Sequence, residues 1–306
     1  MSENRSYAAA HFALELDGAQ SVGVFRSIEG GGVKTEVMTY QHGGGLQRWR
    51  QLGKPKFEDI KVQVGMAMSK PFYDWIKFFF KGQPKRKTGA IIAADFYYKE
   101  RARREFKEAI IKELTFPKLE GQDKNAAYMG VGIAVEDIIF KKGSGAKLPT
   151  PAMNPQKLWT ACNFKFELAG FESAVRRTAK IDSFTVKQDM AEYHMGGQLA
   201  AVKTPTPIEF PNIVFYVPEA DAHPLIDRFT NSNKLHLKNR AGQASSLHGS
   251  ITTLDNQGRE LFKLQYTGAD IVSVTPEKSD ASSEDIKLVK VELYTEKMEF
   301  EYKNLE

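Results

Sequence analysis

The chain has 306 residues, of which 42% are hydrophobic and 26% charged, with a net charge of +5. This length predicts two domains, and the composition is typical of a globular protein. So small a charge excess does not indicate a nucleic-acid-binding protein, which concentrates its basic residues on one face. A single cysteine, Cys162, excludes an intrachain disulfide and a multi-cysteine metal site. We expect no membrane anchor and no classical secretion signal, because no apolar run is long enough for either.

The first half of the sequence is repeated in the second half. Residues 12–18 resemble residues 164–170 at an offset of 152, with phenylalanine, glutamate, leucine and glycine in register. The other matching blocks are 57–64 with 210–217, 71–76 with 224–229, 90–95 with 250–255, and 131–140 with 291–300. Blocks that recur in the same order indicate two copies of one fold. We therefore predict domains at residues 1–143 and 157–306, joined by a proline- and glycine-containing linker at 144–156.

In chain order, the first elements are predicted to be strands. Apolar and polar residues alternate at 12–16, 22–25 and 33–40, the period of a strand with one buried face. Asp17-Gly18 predicts a turn between the first two strands, and three glycines at 30–32 predict a break or bulge before the third. Residues 41–56 are polar and glycine-rich, which predicts a long loop. Strand character returns at 57–64.

One helix is predicted in each half. Ser69 is a suitable N-cap for a helix at 69–81, with an apolar stripe of Phe72, Trp75, Ile76 and Phe79. In the second half, residues 221–229 take this place. The other segments of both halves are predicted to be strands, including a hairpin at 249–254 and 260–265. The predicted fold class is mainly β, with two tandem domains, each a β-barrel or sandwich flanked by one helix.

The sequence contains no motif that indicates catalysis or cofactor binding. The six histidines form no zinc-protease signature, there is no G-x-S-x-G elbow, and residues 82–88 lack the glycine of a phosphate loop. Glu15 and Glu167 occupy matching positions, and a local salt bridge is favoured for them over a catalytic pair. The basic residues between Lys81 and Lys107 are interleaved with glutamates, which favours a solvated hairpin over a nucleic-acid groove. We predict no catalytic, cofactor-binding or metal-binding residue, and a protein that is not an enzyme.

Several of these blocks resemble one protein family. They are the motif at 12–18, the Phe25-Arg26-Ser27-x-Glu29-Gly30-Gly31 turn, residues 57–60 and the helix at 69–75. Together they resemble the tail tube proteins of contractile phages and related contractile injection systems. The second copy departs from the pattern, since Arg176-Arg177-Thr178 stands for Phe25-Arg26-Ser27 and the glycines are missing.

The resemblance implies small β-barrels that assemble as six-membered rings, stacked into a hollow tube inside a contractile sheath. A tandem copy implies a trimer that mimics six-fold symmetry, or a hexamer with an outer layer of extra domains. The implied partners are further copies of the chain, the sheath protein, baseplate, hub and spike proteins, and cargo or DNA in the lumen. Assembly is expected in the bacterial cytoplasm, and the final location is a virion tail or an injection particle.

The same resemblance assigns roles to particular residues. The strands at 22–26 and 33–40, with their partners at 174–177 and 181–188, are candidates for the lumen wall. The lumen or ring-interface residues implied are Arg26, Lys34, Glu36, Met38, Arg176 and Lys187. The loop at 41–56 is expected to reach the adjacent ring through Gly44, Arg48, Trp49, Arg50 and Lys54.

Two alternatives stay open from the sequence. Within the same family, the chain is alternatively a tube initiator or baseplate adaptor that uses paired tube domains to convert trimeric into hexameric symmetry. From another class, a carbohydrate-binding β-sandwich or a glycosidase has the same strand-rich pattern.

Overall fold

A computed structural model of the chain describes residues 11–18, 23–41, 43, 48–148, 159–196, 200–238, 246–277 and 286–303. Within these ranges the fold is built almost entirely from antiparallel strands. The first-half elements are β1 (His11–Leu16), β2 (Gly23–Gly30), β3 (Val33–Gln41), β4 (Arg48–Phe57), β5 (Ile60–Met68), α1 (Lys70–Phe80), β6 (Lys87–Ala94), β7 (Glu100–Phe116), β8 (Leu119–Glu120), β9 (Met129–Ala134) and β10 (Asp137–Lys142).

The second half continues with the same kinds of element. They are β11 (Phe164–Leu168), α2 (Glu172–Val175), β12 (Lys180–Ile181), β13 (Phe184–Tyr193), β14 (Val202–Glu209), β15 (Ile213–Pro218), a 3-10 turn (Glu219–Asp221), α3 (His223–Lys238), β16 (Leu247–Leu254), β17 (Glu260–Pro276), β18 (Leu288–Tyr294) and β19 (Lys297–Tyr302). The prediction of a mainly β fold is confirmed.

The two halves share one sheet topology. The first has the strand order β1-β6-β7-β9-β5-β2, with β10 on the other edge of β7. The second has the order β11-β16-β17-β18-β15-β12, with β19 on the other edge of β17 and the short first-half strand β8 added beside β12. In the first half, β1 also contacts β2, so its sheet curves towards a barrel. The tandem duplication predicted from the sequence is therefore present in the strand order.

The duplication extends to the register of single residues. Glu15 lies opposite Ala90 in the first half, and Glu167 lies opposite Ser250 in the second. The offsets, 152 on one strand and 160 on the other, are those of the sequence repeat. Because a slip of one residue turns every side chain to the other face of a sheet, conserved register means that both halves bury the same face.

The turn between the sixth and seventh strands of each half is also copied. Asp95 accepts hydrogen bonds from the backbone N–H groups of Tyr97 and Lys99, and Asp255 does the same for its own turn. Burial opposes ionisation, but these bonds and an arginine beside each carboxylate outweigh it and lower the pKa of both aspartates. The hairpin predicted at 249–265 is confirmed, with β17 running on to Pro276.

The ribbon of β3 and β4 has a duplicate in β13 and β14. Each ribbon carries one bulge, at the same place in both halves. The equivalent pairs, all 153 residues apart, are Lys34↔Lys56 with Lys187↔Glu209, Thr35↔Pro55 with Gln188↔Ile208, and Val37↔Leu52 with Met190↔Pro205. A shared bulge fixes the alignment of the ribbons, because bulges re-aim every residue that follows them.

The predicted first helix is confirmed as α1. All four residues of its apolar stripe are buried: Phe72, Trp75, Ile76 and Phe79. The backbone carbonyl of Ser69, rather than its hydroxyl, accepts the first helical hydrogen bonds, from Phe72 and Tyr73. One hydrophobic core runs through both halves, since buried residues of the two sheets belong to a single cluster.

Four sequence predictions need correction. Most of the predicted loop at 41–56 is strand β4, whose backbone pairs with β3, a partner that polar and glycine-rich composition does not reveal. Residues 172–175 form the short helix α2, so the strand predicted at 174–177 is wrong. The helix predicted at 221–229 begins at His223 and extends to Lys238. Ile226, which was expected on the buried apolar stripe of this helix, is 40% exposed.

The fourth correction concerns the first two strands. Asp17 and Gly18 form the predicted turn, both with positive φ, but β1 pairs with β6 and β2 pairs with β5. The two strands are therefore not a hairpin. The break at the glycines is confirmed, since Gly30 and Gly31 adopt positive φ between β2 and β3.

The predicted linker begins at residues that bind the first half, where Leu148 is buried beside β1 and β6. The remaining linker, residues 149–156, lies outside the described residues.

Replacing Gly249 by alanine tests the packing of the second half. The added Cβ would overlap the carbonyl of Glu167 and the ring of Tyr266, both held in a buried ladder. Overpacking of this kind costs about 1–3 kcal/mol. We expect a lower midpoint in urea unfolding for Gly249→Ala. Gly196→Ala is the control, because an added Cβ there meets no atom within 4 Å, and its midpoint should not change.

Candidate assembly surfaces

The sheet of the first half continues into the second half. Strand β13 pairs antiparallel with the free end of β7, so that one edge of the first domain is extended by the ribbon of the second. We call this contact the internal joint. Its register is Phe184↔Phe116, Thr185↔Thr115, Val186↔Leu114 and Lys187↔Glu113.

Side chains on both faces strengthen the internal joint. The ring of Phe116 stacks on that of Phe184 with centroids 5.0 Å apart, and the hydroxyls of Thr115 and Thr185 lie 2.9 Å apart. Val186, on the core face, has no exposed surface. A stacked aromatic pair contributes about 0.5–1.5 kcal/mol beyond the area it buries. The joint is thus packed like a protein interior.

Gln188 joins the two halves through a buried hydrogen bond. Its side-chain amide nitrogen donates to the backbone carbonyl of Ile111, at 3.0 Å, and the residue is only 2% exposed. The carbonyl lies at the bulge of β7, where the ladder with β9 is interrupted between Ile111 and Glu113. The glutamine therefore compensates for the interrupted ladder.

Charged groups border the internal joint. The carboxylate of Asp59 binds Lys112 of its own half at 2.9 Å and Lys203 of the second half at 3.5 Å. The hydrogen bond that Lys112 donates to Asp59 raises the pKa of the lysine against the effect of burial. Glu136 accepts a hydrogen bond from the backbone N–H of Lys203 at 2.7 Å and another from Arg86 at 2.5 Å. Both acidic groups hold Lys203, near the far end of the second ribbon, against the first half.

Helix α1 forms a second contact between the halves. Tyr73 packs against Phe300 of β19, with ring centroids 5.8 Å apart, and Phe80 stacks on the same ring at 5.9 Å. The hydroxyl of Tyr73 accepts a hydrogen bond from the backbone N–H of Tyr302 at 2.7 Å. Burial raises the pKa of Tyr73. The helix predicted to cover a sheet face thus lies partly on the sheet of the other half.

The ribbon of β3 and β4 has no such support. Every residue of β3 is exposed, and among the described strands β3 and β4 pair only with each other. Val37, Trp49 and Leu52 are 57%, 62% and 67% exposed. The alternation at 33–40 therefore predicts the strand correctly but not a buried face. Large apolar side chains exposed together mark a contact surface that the single chain leaves open.

The predicted lumen residues lie on several elements. Lys34, Glu36 and Met38 are exposed on β3, where Lys34 pairs with Glu58. Lys56 donates a hydrogen bond of 2.6 Å to Glu36, which lowers the pKa of that carboxyl.

The other three candidates lie elsewhere. Arg26, on β2, lies over the ring of Tyr128 at 4.7 Å. Lys187 lies in the internal joint and pairs with Glu209 at 3.0 Å. Arg176 is exposed at the end of α2, so its placement on a wall strand is wrong.

The predicted stacking residues lie on a strand rather than a loop. Arg48, Trp49, Arg50 and Lys54 are all exposed on β4, and Gly44 lies outside the described residues. Sequence reasoning missed the residues of the internal joint, above all Gln188 and Lys203. The structure alone separates these positions: Gln188 is buried, whereas its equivalent Thr35 is exposed.

The paired glutamates are structural. Glu15 binds Arg103 at 2.8 Å, and Glu167 accepts a hydrogen bond from Ser250 at 2.8 Å beside Lys165. The salt-bridge interpretation is confirmed. Among the described residues no three acidic, histidine or cysteine side chains are grouped as metal ligands. Over the same residues, no helix has the length and apolar character needed to cross a membrane.

Comparison with known proteins gives one family match. Residues 8–139 match the family model described as T4-like virus tail tube protein gp19. The first half of the chain matches the tail tube family. The resemblance seen in the sequence is thereby confirmed for this half. The second half repeats the strand order of the matched half.

Three solved structures are similar to parts of the chain. A chain of the PVC sheath–tube complex, from an extracellular contractile injection system, has 16% identity and a TM-score of 0.41, covering 45% of this chain and 93% of that one. A chain of the anti-feeding prophage tube-terminating cap has 16% identity and a TM-score of 0.42, covering 47% and 95%. Hcp1 from E. coli EAEC 042 has 21% identity and a TM-score of 0.23, covering 40% and 75%. No curated protein matches the chain.

Removing the amide of Gln188 tests the internal joint. In Gln188→Leu the buried carbonyl of Ile111 loses a donor, which costs about 1–3 kcal/mol. We expect a lower free energy of unfolding in urea, with the far-UV circular dichroism of the folded protein unchanged. The matched control is Thr35→Val, at the equivalent position of the exposed ribbon. Equal destabilisation by both variants would contradict a special role for Gln188.

Proposed function

We propose that this chain is an inner-tube subunit of a contractile tail or injection system, which forms rings that stack into a hollow conduit. The observation that carries the proposal is the difference between the two ribbons. The ribbon of β13 and β14 extends the sheet of the preceding domain, whereas its copy, β3 and β4, extends no sheet in the described part of the chain.

A head-to-tail arrangement of domains explains this difference. Within the chain, the second domain presents a ribbon and the first accepts it on the edge of β7. Contacts that join unlike surfaces of identical subunits generate rings when the rotation closes. Unpaired strand edges are prone to unwanted pairing, and closing a ring gives each edge a partner. The proposed ring therefore removes the open edges of every subunit.

The ring is proposed to contain three chains, which supply six tube domains. A hexamer with an outer layer of second domains is the other arrangement compatible with tandem copies. In either ring, Arg26, Lys34, Glu36 and Met38 are candidates for the wall of the lumen, together with Lys187. A bore lined by such polar and charged side chains is compatible with a water-filled channel.

The far end of the first ribbon is proposed to reach the adjacent ring. Trp49 and Leu52 are its most exposed apolar residues, and Arg48, Arg50 and Lys54 lie on the same strand. Burying an exposed tryptophan and leucine between rings contributes roughly 1.5–3 kcal/mol per side chain.

The proposed partners follow from this role. They are further copies of the chain, a contractile sheath protein around the tube, baseplate, hub and spike proteins at its end, and cargo or DNA inside it. The protein is proposed to act without catalysis. Assembly is proposed to take place in the bacterial cytoplasm, and the assembled tube belongs to a virion tail or an injection particle.

A tube initiator or baseplate adaptor is the second candidate, favoured by the unequal ribbons. Positions 49 and 52, tryptophan and leucine in the first ribbon, are Val202 and Pro205 in the second. A ring of three chains would present three ribbons of each kind, as a part that joins a three-fold hub to a six-fold tube requires. Such a ring would assemble but would not stack on itself.

The experiment that tests the proposal is negative-stain microscopy of the purified chain, combined with mass measurement in solution. Tubes are expected for a tube subunit, and isolated rings with the mass of three 34.4 kDa chains for an initiator. A strict monomer at high concentration would overturn both. Glycan binding by such a monomer would support a carbohydrate-binding β-sandwich instead.

The stacking role is tested at the far end of the first ribbon. In the double variant Trp49→Ser/Leu52→Ser we expect rings of normal diameter and mass, with shorter tubes or none, measured as tube length in micrographs. Phe96→Ser is the control, since Phe96 is 74% exposed in the turn between β6 and β7. Tubes of normal length from the double variant would contradict the role given to the ribbon.

A further inference from the structure

Because the two domains are copies, the internal joint specifies what a joint between two chains would look like. We infer that β17 of one chain pairs with β3 of a second copy in the register of the internal joint, and that α3 of the first chain covers the sheet of the second copy beside β10. This inference rests on the head-to-tail ring proposed above and names the surfaces that meet.

The register follows from the repeat offsets. Residues 113–116 of β7 correspond to 273–276 of β17, and residues 184–187 correspond to 31–34 at the start of β3. The inferred pairs between chains are Gly31↔Pro276, Gly32↔Thr275, Val33↔Val274 and Lys34↔Ser273. In the described part of the chain, this end of β17 pairs only with β18, and β3 pairs only with β4. Both edges are therefore available.

Burial supports the pairing of these edges. In the internal joint the two apolar residues that face each other, Val186 and Leu114, have no exposed surface. Their equivalents are Val33, which is 39% exposed, and Val274, which is only partly buried against the core. The same positions are buried where the chain itself supplies a partner strand and are more exposed where it does not.

The helices give a second and independent observation. In the internal contact Tyr73 of α1 packs on Phe300 of β19, and both are at most 5% exposed. The equivalent residues are Ile226 of α3, at an offset of 153, and Phe140 of β10, at an offset of 160. Ile226 is 40% exposed and Phe140 is 60% exposed. Two large apolar side chains that a single chain leaves in water would meet in the inferred joint.

A groove marks the receiving surface beside β10. It has a volume of about 410 Å³ and is lined mainly by apolar atoms of Ile91, Ala93, Ala102 and Phe140, with Arg103 and Lys141 at its border. In the second half the equivalents of Ala102 and Phe140 are Phe262 and Phe300, which are buried, and Phe300 lies beneath α1. The groove is thus the place that a helix occupies in the other copy.

The joint between chains would be weaker than the internal one. The stacked rings of Phe116 and Phe184 are replaced by Pro276 and Gly31, and the amide of Gln188 by the shorter Thr35. Proline also lacks the backbone N–H that a strand ladder uses. A strong contact within the chain and a weaker contact between chains are expected for a subunit that folds first and assembles afterwards.

Cysteine pairs test the register. In a Cys162→Ser background, Lys34→Cys and Ser273→Cys are combined in one chain, because their equivalents, Lys187 and Glu113, are directly opposite with solvent-accessible side chains. Oxidation should convert the assembled protein to disulfide-linked oligomers. The largest linked oligomer should contain as many chains as the ring. The control combines Lys34→Cys with Val274→Cys, whose side chains point to opposite faces of the sheet. It should give at most one-tenth of the linked product.

The helix contact is tested by Ile226→Asp. The residue is largely exposed, so the single chain should keep its melting temperature, while the ring population in solution should fall at least tenfold. Phe140→Asp on the receiving surface should have the same effect. Phe96→Asp, which adds the same charge at a position that is exposed in both copies, as Phe96 and as Asn256, should assemble normally.

The outcomes separate this inference from the proposed function. Rings in micrographs without linkage of the Lys34→Cys/Ser273→Cys pair, or with equal linkage of the control pair, would overturn the register while the tube role stands. Normal assembly of Ile226→Asp and Phe140→Asp would overturn the helix contact. A wild-type chain that stays monomeric at high concentration would overturn the proposed function itself.

Discussion

The structure depends on one constraint: the edge of a β-sheet needs a partner for its backbone groups. In the first domain the long strand β7 projects beyond β6 and β10, and its outer end is paired by a ribbon from the second domain. That ribbon brings with it the buried Val186 and Gln188, and Lys203 near its far end binds Asp59 of the first domain. When each repeated unit pairs its ribbon with the sheet edge of the preceding unit, the first unit keeps an unpaired ribbon and the last unit keeps an unpaired edge.

The two copies have diverged at the positions where their surroundings differ. Both conserve the register of their sheets, the aspartate turn and the bulge of the ribbon, because these set the path of the backbone. They differ at Thr35 and Gln188 and at Tyr73 and Ile226, whereas Phe140 and Phe300 keep the same side chain. In each pair one residue is buried between the two halves and its equivalent is exposed. Comparing burial between copies thus locates the contacts between the two domains.

Sequence reasoning recovered the repeat, the class of fold and helix α1, because these depend on patterns that a single copy contains. The stripe from Phe72 to Phe79 is a local feature, as is the turn at Asp255. The ribbon was only half recognised: β3 alternates, but β4, with Gly53 and Pro55 in it, reads as a loop until β3 is known to pair with it. The internal joint could not be predicted, since Phe116 and Phe184 look like ordinary core residues. The strand assigned to Lys34 is β3, but Trp49 was expected in a loop that is strand β4, and Arg176 on a strand where the chain forms a helix.

The covalent link between the two domains also restricts the size of a ring. Each chain contributes units in pairs, already joined at a fixed angle through β7 and β13. In the proposed ring of three chains, the number of units would then always be even, and a ring of five or seven units would leave half a chain outside. The fusion also places the second domain beside the first at a high effective concentration, so that every second joint of such a ring would form at any protein concentration.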